Sequence, residues 1–299
     1  MTSSLSFRKE GTNMKNINVK DNGFEGILFP GNGTKDKVVI VMSGSNGGMK
    51  LTKQAAEFYH KNGIPALALA LFATKGTQPF LDRVPVEYVE HAICWLKEQG
   101  YKRIGIDGMS KGSEIALVAA SMFSDISCVI VRVPSYFVSE GLAGKGKNKA
   151  PSGTSCWSYH GKELAYAPYK MRKFHILKML IKEKELHIIT FNRDKDIIPE
   201  SIIAIDKIKA PILILSSKQD SIWPSYESGI YIEKKLEETG FPYEHKHVAY
   251  EYMSHALVTK LPILYKFGFR SERENAKACA IDRENMKKEL LDWVNQVWK

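Results

Sequence analysis

Residues 103–120 read RIGIDGMSKGSEIALVAA, and this stretch decides the fold. An apolar run typical of a buried strand comes first, Ser110 then stands between Gly108 and Gly112, and residues with helical spacing follow. This strand–turn–helix order is the setting in which Gly-x-Ser-x-Gly forms a nucleophile elbow. The turn requires glycines because its serine takes a strained backbone conformation and the flanking chain passes very close. The motif therefore predicts a nucleophilic serine, against the alternative of an ordinary turn serine.

Strand and helix patterns alternate on both sides of the elbow. Further continuous apolar runs, typical of strands buried on both faces, occupy residues 38–43, 65–72, 128–134 and 211–217. Helical spacing is found at residues 51–63, 86–100, 226–240 and 282–299. This alternation predicts an α/β fold in which helices flank a mostly parallel central sheet, and the elbow makes it the α/β-hydrolase fold.

The alternation stops between Val133 and Pro211. Residues 139–200 are rich in Lys, Ser, Tyr and Gly and lack a clear sheet pattern over most of their length. Because a loop this long inside a domain is usually functional, we expect a lid-like insert between strands here. We expect residues 1–15 to form a mobile leader and residues 16–299 to form a single α/β-hydrolase domain.

The composition excludes several classes of protein. The 299 residues are 44% hydrophobic and 25% charged, which is ordinary for a globular protein and excludes disorder or a coiled coil. The four cysteines form no C-x-x-C pair, so we expect reduced thiols in a cytoplasmic protein. No apolar run approaches the roughly 20 residues that span a membrane. The net charge of +10 is compatible with an anionic small ligand, a membrane surface or nucleic acid as a partner.

An acidic residue must orient the base that activates Ser110, and in this fold it follows the serine along the chain. Asp220 comes directly after the buried strand pattern PILILSS, so it is the predicted acid. Asp194 and Asp206 are the alternatives, but neither follows a strand pattern so directly. Asp107 precedes the serine and lies inside a strand, which is the wrong order.

The base must be a histidine beyond the next strand pattern, and three histidines lie in that part of the chain. His245 and His247 alternate within the strand pattern, so they share one face and are expected to be packed or solvated. His255 lies in the loop that follows and is the predicted base. The five earlier histidines are expected to be structural.

A glycine-rich loop, SGSNGG, follows the apolar run 38–43. In this fold the loop at that position forms the oxyanion hole together with the amide that follows the nucleophile. Glycines let backbone N–H groups approach an anion closely. The predicted donors are the backbone amides of Ser45 or Asn46, together with that of Lys111. The loop does not match a phosphate-binding loop, because no Gly-Lys-Ser/Thr follows it.

Several stretches together give the chain a family resemblance. They are GMSKGSEIAL, PVEYVEHAICWL, SYHGKELAYAPY, IKAPILILSSKQDSIWPS and the closing ENAKA and WVNQVWK. With them the sequence resembles the C-terminal catalytic domain shared by acyl-CoA thioesterases and bile acid-CoA:amino acid N-acyltransferases, a dienelactone-hydrolase-like branch of the α/β hydrolases. The resemblance covers nearly everything after about Lys37. It implies a triad of Ser110, Asp220 and His255 and an acyl-CoA-like activated acyl substrate.

The nucleophile bears on the type of reaction. In this family the amino-acid transferases tend to use cysteine and the hydrolases serine, so Ser110 favours hydrolysis of an acyl-CoA thioester. The alternatives are a carboxylesterase or dienelactone-hydrolase-like enzyme for oxyesters, and an acyl-CoA N-acyltransferase. A further alternative is a non-catalytic binding protein with the same fold. The sequence departs from the family at Gln219, where many relatives have a second acidic residue beside the predicted acid.

Two residues near the predicted triad have two interpretations each. Glu114 lies one helical turn after Ser110 and either braces the active-site loops or lies on a solvated helix face. Trp223 lies beside the predicted acid and either walls the acyl pocket or packs in the core.

The positive charge is concentrated in the predicted insert. Residues 139–200 carry 12 Lys and Arg against 7 Asp and Glu, which is half of the excess. Lys145, Lys147 and Lys149 are candidates to hold the phosphates of coenzyme A, against the alternative of a solvated loop. The sequence contains no recognisable nucleic-acid-binding module, so we expect a small-molecule acyl substrate as the partner, with no nucleic acid, no metal and no cofactor.

Overall fold

The computed structural model describes residues 13–144, 149–168, 170–171, 189–190 and 197–299, with the backbone alone at 170–171 and 189–190. The strands are β1 (Lys15–Ile17), β2 (Glu25–Phe29), β3 (Lys37–Met42), β4 (Ala66–Ala70), β5 (Val84–Pro85), β6 (Arg103–Met109), β7 (Ile126–Arg132), β8 (Glu140–Ala143), β9 (Ala150–Ser155), β10 (Trp157–Tyr159), β11 (Lys162–Glu163), β12 (Lys170–Met171), β13 (Ile189–Thr190), β14 (Ile212–Ser217) and β15 (His245–Tyr250). The helices are α1 (Val19–Asn22), α2 (Lys50–Lys61), α3 (Glu87–Glu98), α4 (Lys111–Met122), α5 (Ser225–Glu238), α6 (Ile263–Gly268), α7 (Arg270–Glu274) and α8 (Ala276–Asp292). Most of the predicted leader, and Lys145 and Lys147 of the predicted basic insert, lie outside the described residues.

Eight strands form the central sheet, in the order β1-β2-β4-β3-β6-β7-β14-β15. Strand β2 runs antiparallel to both β1 and β4, and every other neighbouring pair in this sheet is parallel. The prediction of an α/β fold with a mostly parallel sheet is therefore confirmed. The carboxyl ends of β3, β6, β7, β14 and β15 lie along the same edge, where the predicted functional residues follow them.

Helices cover both faces of the sheet, which explains why the strand sequences are apolar without alternation. In β3, Val38, Ile40 and Met42 belong to the core under α3, α4 and α5, whereas Val39 and Val41 belong to the core under α2 and α8. All five side chains are at most 1% exposed. None of the helices in the described ranges is long and apolar enough to cross a membrane.

The described part of residues 139–200 contains strands, although the sequence shows no clear sheet pattern there. Strands β8 and β9 form an antiparallel pair, and β10 pairs with β11 and, in parallel, with β5. The sequence of β9, APSGTS, is polar and only partly buried, so it shows no apolar periodicity. Helices α6 and α7, which follow the predicted base, were also not predicted, because each is too short for a periodic pattern.

The elbow lies where β6 meets α4. Ser110 has φ 58° and ψ −120°, and α4 begins at the next residue. A Cβ at Gly108 would lie 2.0 Å from the carbonyl oxygen of Gly112. A Cβ at Gly112 would lie 2.7 Å from the carbonyl oxygens of Met42 and Ser43, in the neighbouring strand and loop. Both glycines are therefore required by close backbone approach.

Replacing Gly108 should unfold the elbow for steric reasons alone. We expect Gly108→Ala to lower the free energy of unfolding by at least about 3 kcal/mol, because its neighbour is backbone that cannot move aside. Gly240→Ala is the control. Gly240 has φ +61° but open space around it, so only about 1 kcal/mol of backbone strain is expected. Urea unfolding measures both, and equal losses would contradict the steric explanation.

Candidate active site

The three predicted triad residues lie together at the carboxyl edge of the sheet. The Oγ of Ser110 lies 2.9 Å from Nε2 of His255, and Nδ1 of the same ring lies 2.8 Å and 2.9 Å from the two carboxylate oxygens of Asp220. The carboxylate is 2% exposed and the imidazole is 11% exposed. A carboxylate only accepts hydrogen bonds, so it favours the tautomer with the proton on Nδ1 and leaves Nε2 free to accept the serine proton.

The loop after β14 holds the Asp220 carboxylate in place. One of its oxygens accepts hydrogen bonds from the backbone amides of Ile222 and Trp223, at 2.9 Å and 3.2 Å. Of the alternative acids, Asp206 is an exposed residue of a short 3-10 helix, and Asp194 lies outside the described residues. Asp107 is buried and pairs with Arg132 and Tyr59.

The other two candidate histidines lie on β15, away from the serine. His247 contacts Ser216 Oγ at 2.7 Å and Glu233 at 3.3 Å, and burial lowers the pKa of this histidine. His245 contacts the carbonyl oxygen of Tyr243. Neither side chain is brought to the nucleophile.

Two buried arginines hold the loop that carries His255, and sequence reasoning missed both. Arg132 donates to the carbonyl oxygen of Leu257 at 3.0 Å and to Asp107 at 2.8 Å. Arg283 donates to the carbonyl oxygens of Ala256 and Val258, at 3.0 Å and 2.8 Å. Three consecutive carbonyl groups directly after the histidine are thus fixed by guanidinium groups.

The second arginine is itself held by Glu272. Its guanidinium contacts both carboxylate oxygens, at 2.8 Å and 3.0 Å, and the same carboxylate accepts from Ser254 Oγ at 3.0 Å. Arg283 and Glu272 lie on α8 and α7, among other charged residues. No local pattern distinguishes them, because their partners are 11 to 27 residues away in the chain.

The glycine-rich loop after β3 faces Ser110. A Cβ at Gly44 would lie 2.8 Å from Ser110 Cβ and 3.1 Å from Ser110 Oγ, so only glycine lets the loop approach this closely. Within the described part of the chain, the amides of Ser45 and Asn46 donate to no protein acceptor. Both residues line the same cavity as Ser110, where their amides are available to a ligand.

A cavity of about 220 Å³ opens beside Ser110. Its described lining comprises Gly44, Ser45, Asn46, Met109, Ser110, Lys149, Ile222, His255, Ala256, Leu264, Tyr265, Gly268 and Phe269. Lys149 Nζ donates to the carbonyl oxygen of Ser45 at 2.8 Å. Burial, together with the positive charge of Lys111, lowers the pKa of Lys149. This lysine of the predicted basic insert is therefore part of the cavity wall.

Trp223 packs behind the histidine. It is 5% exposed, donates from Nε1 to the carbonyl oxygen of Val133 at 3.0 Å, and meets the His255 ring edge to face with centroids 6.0 Å apart. Its neighbour Ile222 lines the cavity, so packing is the interpretation that the contacts favour.

Glu114 lies at the centre of a buried polar cluster and not on a solvated face, so that alternative is wrong. Its carboxylate is 0% exposed and accepts from the backbone amide and hydroxyl of Ser139, from Cys156 Sγ and from Trp157 Nε1, all within 3.0 Å. The Lys111 ammonium lies 3.3 Å away. The cluster ties the first turn of α4 to the chain around β8 and β10.

The Lys111 side chain belongs to this buried cluster. Its Nζ donates to Ser139 Oγ and to the carbonyl oxygen of Glu140. Burial would lower the pKa of this lysine, but Cys156 and Glu114 raise it above its usual value.

The described residues contain no group of three or more His, Cys, Asp or Glu side chains that could hold a metal ion.

Replacing one member of the buried ion pair between Lys111 and Glu114 should destabilise the protein more than replacing both. We expect Glu114→Gln to lower the free energy of unfolding by about 3 kcal/mol or more, because Lys111 then remains charged and buried. The double variant Glu114→Gln with Lys111→Met should recover part of that loss. Urea unfolding of the two variants measures the difference, and an equally unstable double variant would show that the ion pair is not the source.

Comparison with protein families shows which family this chain belongs to. Residues 84–262 match the family described as BAAT / Acyl-CoA thioester hydrolase C terminal, and this match spans more than half of the chain. No curated protein matches the sequence significantly. Glu272 on α7 and Arg283 on α8, which hold the loop that carries His255, lie beyond the matched region.

Solved structures share the fold at low sequence identity. A protein of Klebsiella pneumoniae assigned as a dienelactone hydrolase is 15% identical, with a TM-score of 0.55, and 95% of this chain and 98% of that chain are covered. An esterase of Pyrococcus furiosus is also 15% identical, with a TM-score of 0.55 and coverage of 95% and 97%. Carboxyl esterase 2 of Tuber melanosporum is 12% identical, with a TM-score of 0.54 and coverage of 96% and 88%. The chain therefore has the α/β-hydrolase fold and belongs to the BAAT / acyl-CoA thioester hydrolase C-terminal family.

Proposed function

We propose that this chain is a serine hydrolase of activated acyl groups, and that acyl-CoA thioesters are its substrates. The observation that carries the proposal is the continuous contact from Asp220 through His255 to Ser110 Oγ, in the wall of a cavity. The family match supports a thioester as the substrate class. The four free cysteines are in keeping with a cytoplasmic location.

The proposed reaction proceeds through an acyl-enzyme. Ser110 Oγ attacks the acyl carbonyl carbon while His255 Nε2 takes the hydroxyl proton, and Asp220 stabilises the imidazolium that forms. The tetrahedral intermediate collapses, the C–S bond breaks, and the imidazolium protonates the departing thiolate. Water then attacks the serine ester with His255 as the base. The carboxylic acid leaves, and the serine recovers its proton.

The oxyanion of both intermediates needs donors on the side opposite His255. The backbone amides of Ser45, Asn46 and Lys111 are the proposed donors. Lys111 is the first residue of α4, so the positive end of that helix dipole adds to the effect. Lys149 supports the arrangement by holding the carbonyl group of Ser45, whose peptide unit carries the amide of Asn46.

A serine-directed fluorophosphonate probe and a panel of acyl-CoA substrates test the function. We expect the probe to label Ser110, and Ser110→Ala to lower thioester hydrolysis at least about 1,000-fold, because the nucleophile is lost. Free-thiol release measures the hydrolysis. Ser121→Ala is the matched control on the same helix and should keep full activity. An unlabelled protein would contradict the mechanism, and hydrolysis of short oxyesters without acyl-CoA turnover would contradict the thioester substrate.

A substitution of Lys149 distinguishes two roles for this residue of the basic insert, which are support of the oxyanion loop and binding of the phosphates of coenzyme A. We expect Lys149→Met to lower kcat about tenfold for both acyl-CoA and an uncharged ester, because the loss of a charged hydrogen bond loosens the oxyanion loop in either reaction. Lys162→Met, at an exposed lysine of β11, is the control and should leave kcat unchanged. A rise in KM for acyl-CoA alone would instead assign Lys149 to the phosphates of coenzyme A.

A further inference from the structure

Helix α6 presents large apolar side chains to solvent beside the candidate active site. Ile263 is 76% exposed, Leu264 is 81% exposed and Phe267 is 61% exposed. Positions separated by one and four residues fall within an arc of about 100° on a helix, so the three side chains share one face. Leaving such side chains in water forfeits the stabilisation that their burial would give, and an exposed apolar patch of this kind is typical of an interaction surface.

This apolar face is continuous with the catalytic cavity. Leu264 lines the cavity together with Ser110 and His255. The same leucine, with Ile263, lines a shallow groove on the outer surface between α6 and α2. A molecule bound on the face therefore has a direct path to the nucleophile.

Lysines surround the face. Lys50, Lys53 and Lys260 line the outer groove, Glu57 is the one acidic residue in its described lining, and Lys266 lies on α6 itself. None of these four lysines forms an ion pair with any other residue in the described ranges. Among the described residues these charges have no ion-pair partner, and the surface combines exposed apolar side chains with an excess of positive charge.

We propose that the face formed by Ile263, Leu264 and Phe267, with the lysines around it, docks on an anionic lipid membrane. Apolar side chains that enter the acyl boundary, flanked by lysines at the depth of the headgroups, are the combination that such a surface binds.

The docking surface bears on the substrate, and this part rests on the proposed function. Ligand pockets usually enclose about 300–1,000 Å³, whereas the cavity here encloses about 220 Å³. It can bury the reacting group and a short segment, so the rest of a long acyl chain must extend past Leu264 onto the apolar face. A docked enzyme would draw such amphiphilic esters or thioesters from the bilayer itself.

Co-sedimentation with vesicles tests the docking without depending on catalysis. The full chain carrying Ser110→Ala is mixed with phosphatidylcholine vesicles that contain either no anionic lipid or 30% phosphatidylserine, the latter about the proportion of a strongly anionic membrane. We expect binding to the anionic vesicles only, weakened by added salt. Ile263→Ser with Phe267→Ser should reduce it at least tenfold. Met122→Ser with Ile230→Ser, on helices of the opposite sheet face, is the matched control and should bind normally.

A second pair of variants tests the charge. Lys50→Gln with Lys260→Gln should weaken binding to the anionic vesicles about 30-fold. In the otherwise unaltered enzyme, Ile263→Ser with Phe267→Ser should hydrolyse a water-soluble short ester at the normal rate and lose activity only on vesicle-bound substrate. Failure of all hydrolysis with intact vesicle binding would overturn the proposed function alone. Absence of vesicle binding, or a dimer dispersed by the serine variants, would overturn the docking surface.

Discussion

The left-handed backbone of Ser110 is the constraint on which the site depends. A non-glycine residue at φ 58° is strained, and the strain is offset by hydrogen bonds on both sides of the residue. Its amide donates to the carbonyl oxygen of Arg132, and its own carbonyl oxygen accepts from the amides of Ser113 and Glu114. The conformation ends β6 and starts α4 within one residue, which places Oγ at the sheet edge. Because the turn is so tight, the neighbouring loop must also carry Gly44 against it.

The position of Ser110 is fixed by the backbone, whereas that of His255 depends on buried charged groups. His255 lies in a loop without regular structure, and such a loop cannot hold an imidazole to within hydrogen-bond tolerance by itself. The ion pairs Arg132–Asp107 and Arg283–Glu272 supply the rigidity, since each arginine also donates to carbonyl groups of residues 256–258. A buried ion pair contributes little net stability, but its fixed donor geometry specifies one conformation. Here that conformation directs the ring at the serine.

The sequence predicted features whose cause is local. Strands buried on both faces appear as continuous apolar runs, and the elbow has its own glycine spacing, so the sheet and the position of Ser110 could be found. Asp220 and His255 followed from the order of strands along the chain. The contacts of Arg283 and Glu272 with the histidine loop could not be predicted in this way. They join α7 and α8 to a loop that is distant in the sequence, and such contacts leave no periodic pattern in it. The strands around β9 escaped prediction because they are polar and lie outside the central sheet.

The lysines that contribute to the excess positive charge differ in burial and in their contacts. Lys149 lies in the wall of the cavity beside Ser110 and donates to the carbonyl oxygen of Ser45, whereas Lys111 is buried and paired with Glu114. Low exposure strengthens both electrostatic contacts. Lys50 and Lys260 lie around an exposed apolar face and have no charged partner among the described residues. The buried charges hold the glycine-rich loop and the first turn of α4 in place, whereas exposed charges attract an anionic surface over several ångströms. A single sign of charge can thus serve both the order of the candidate site and the proposed docking on a membrane, because burial decides which of the two a given lysine performs.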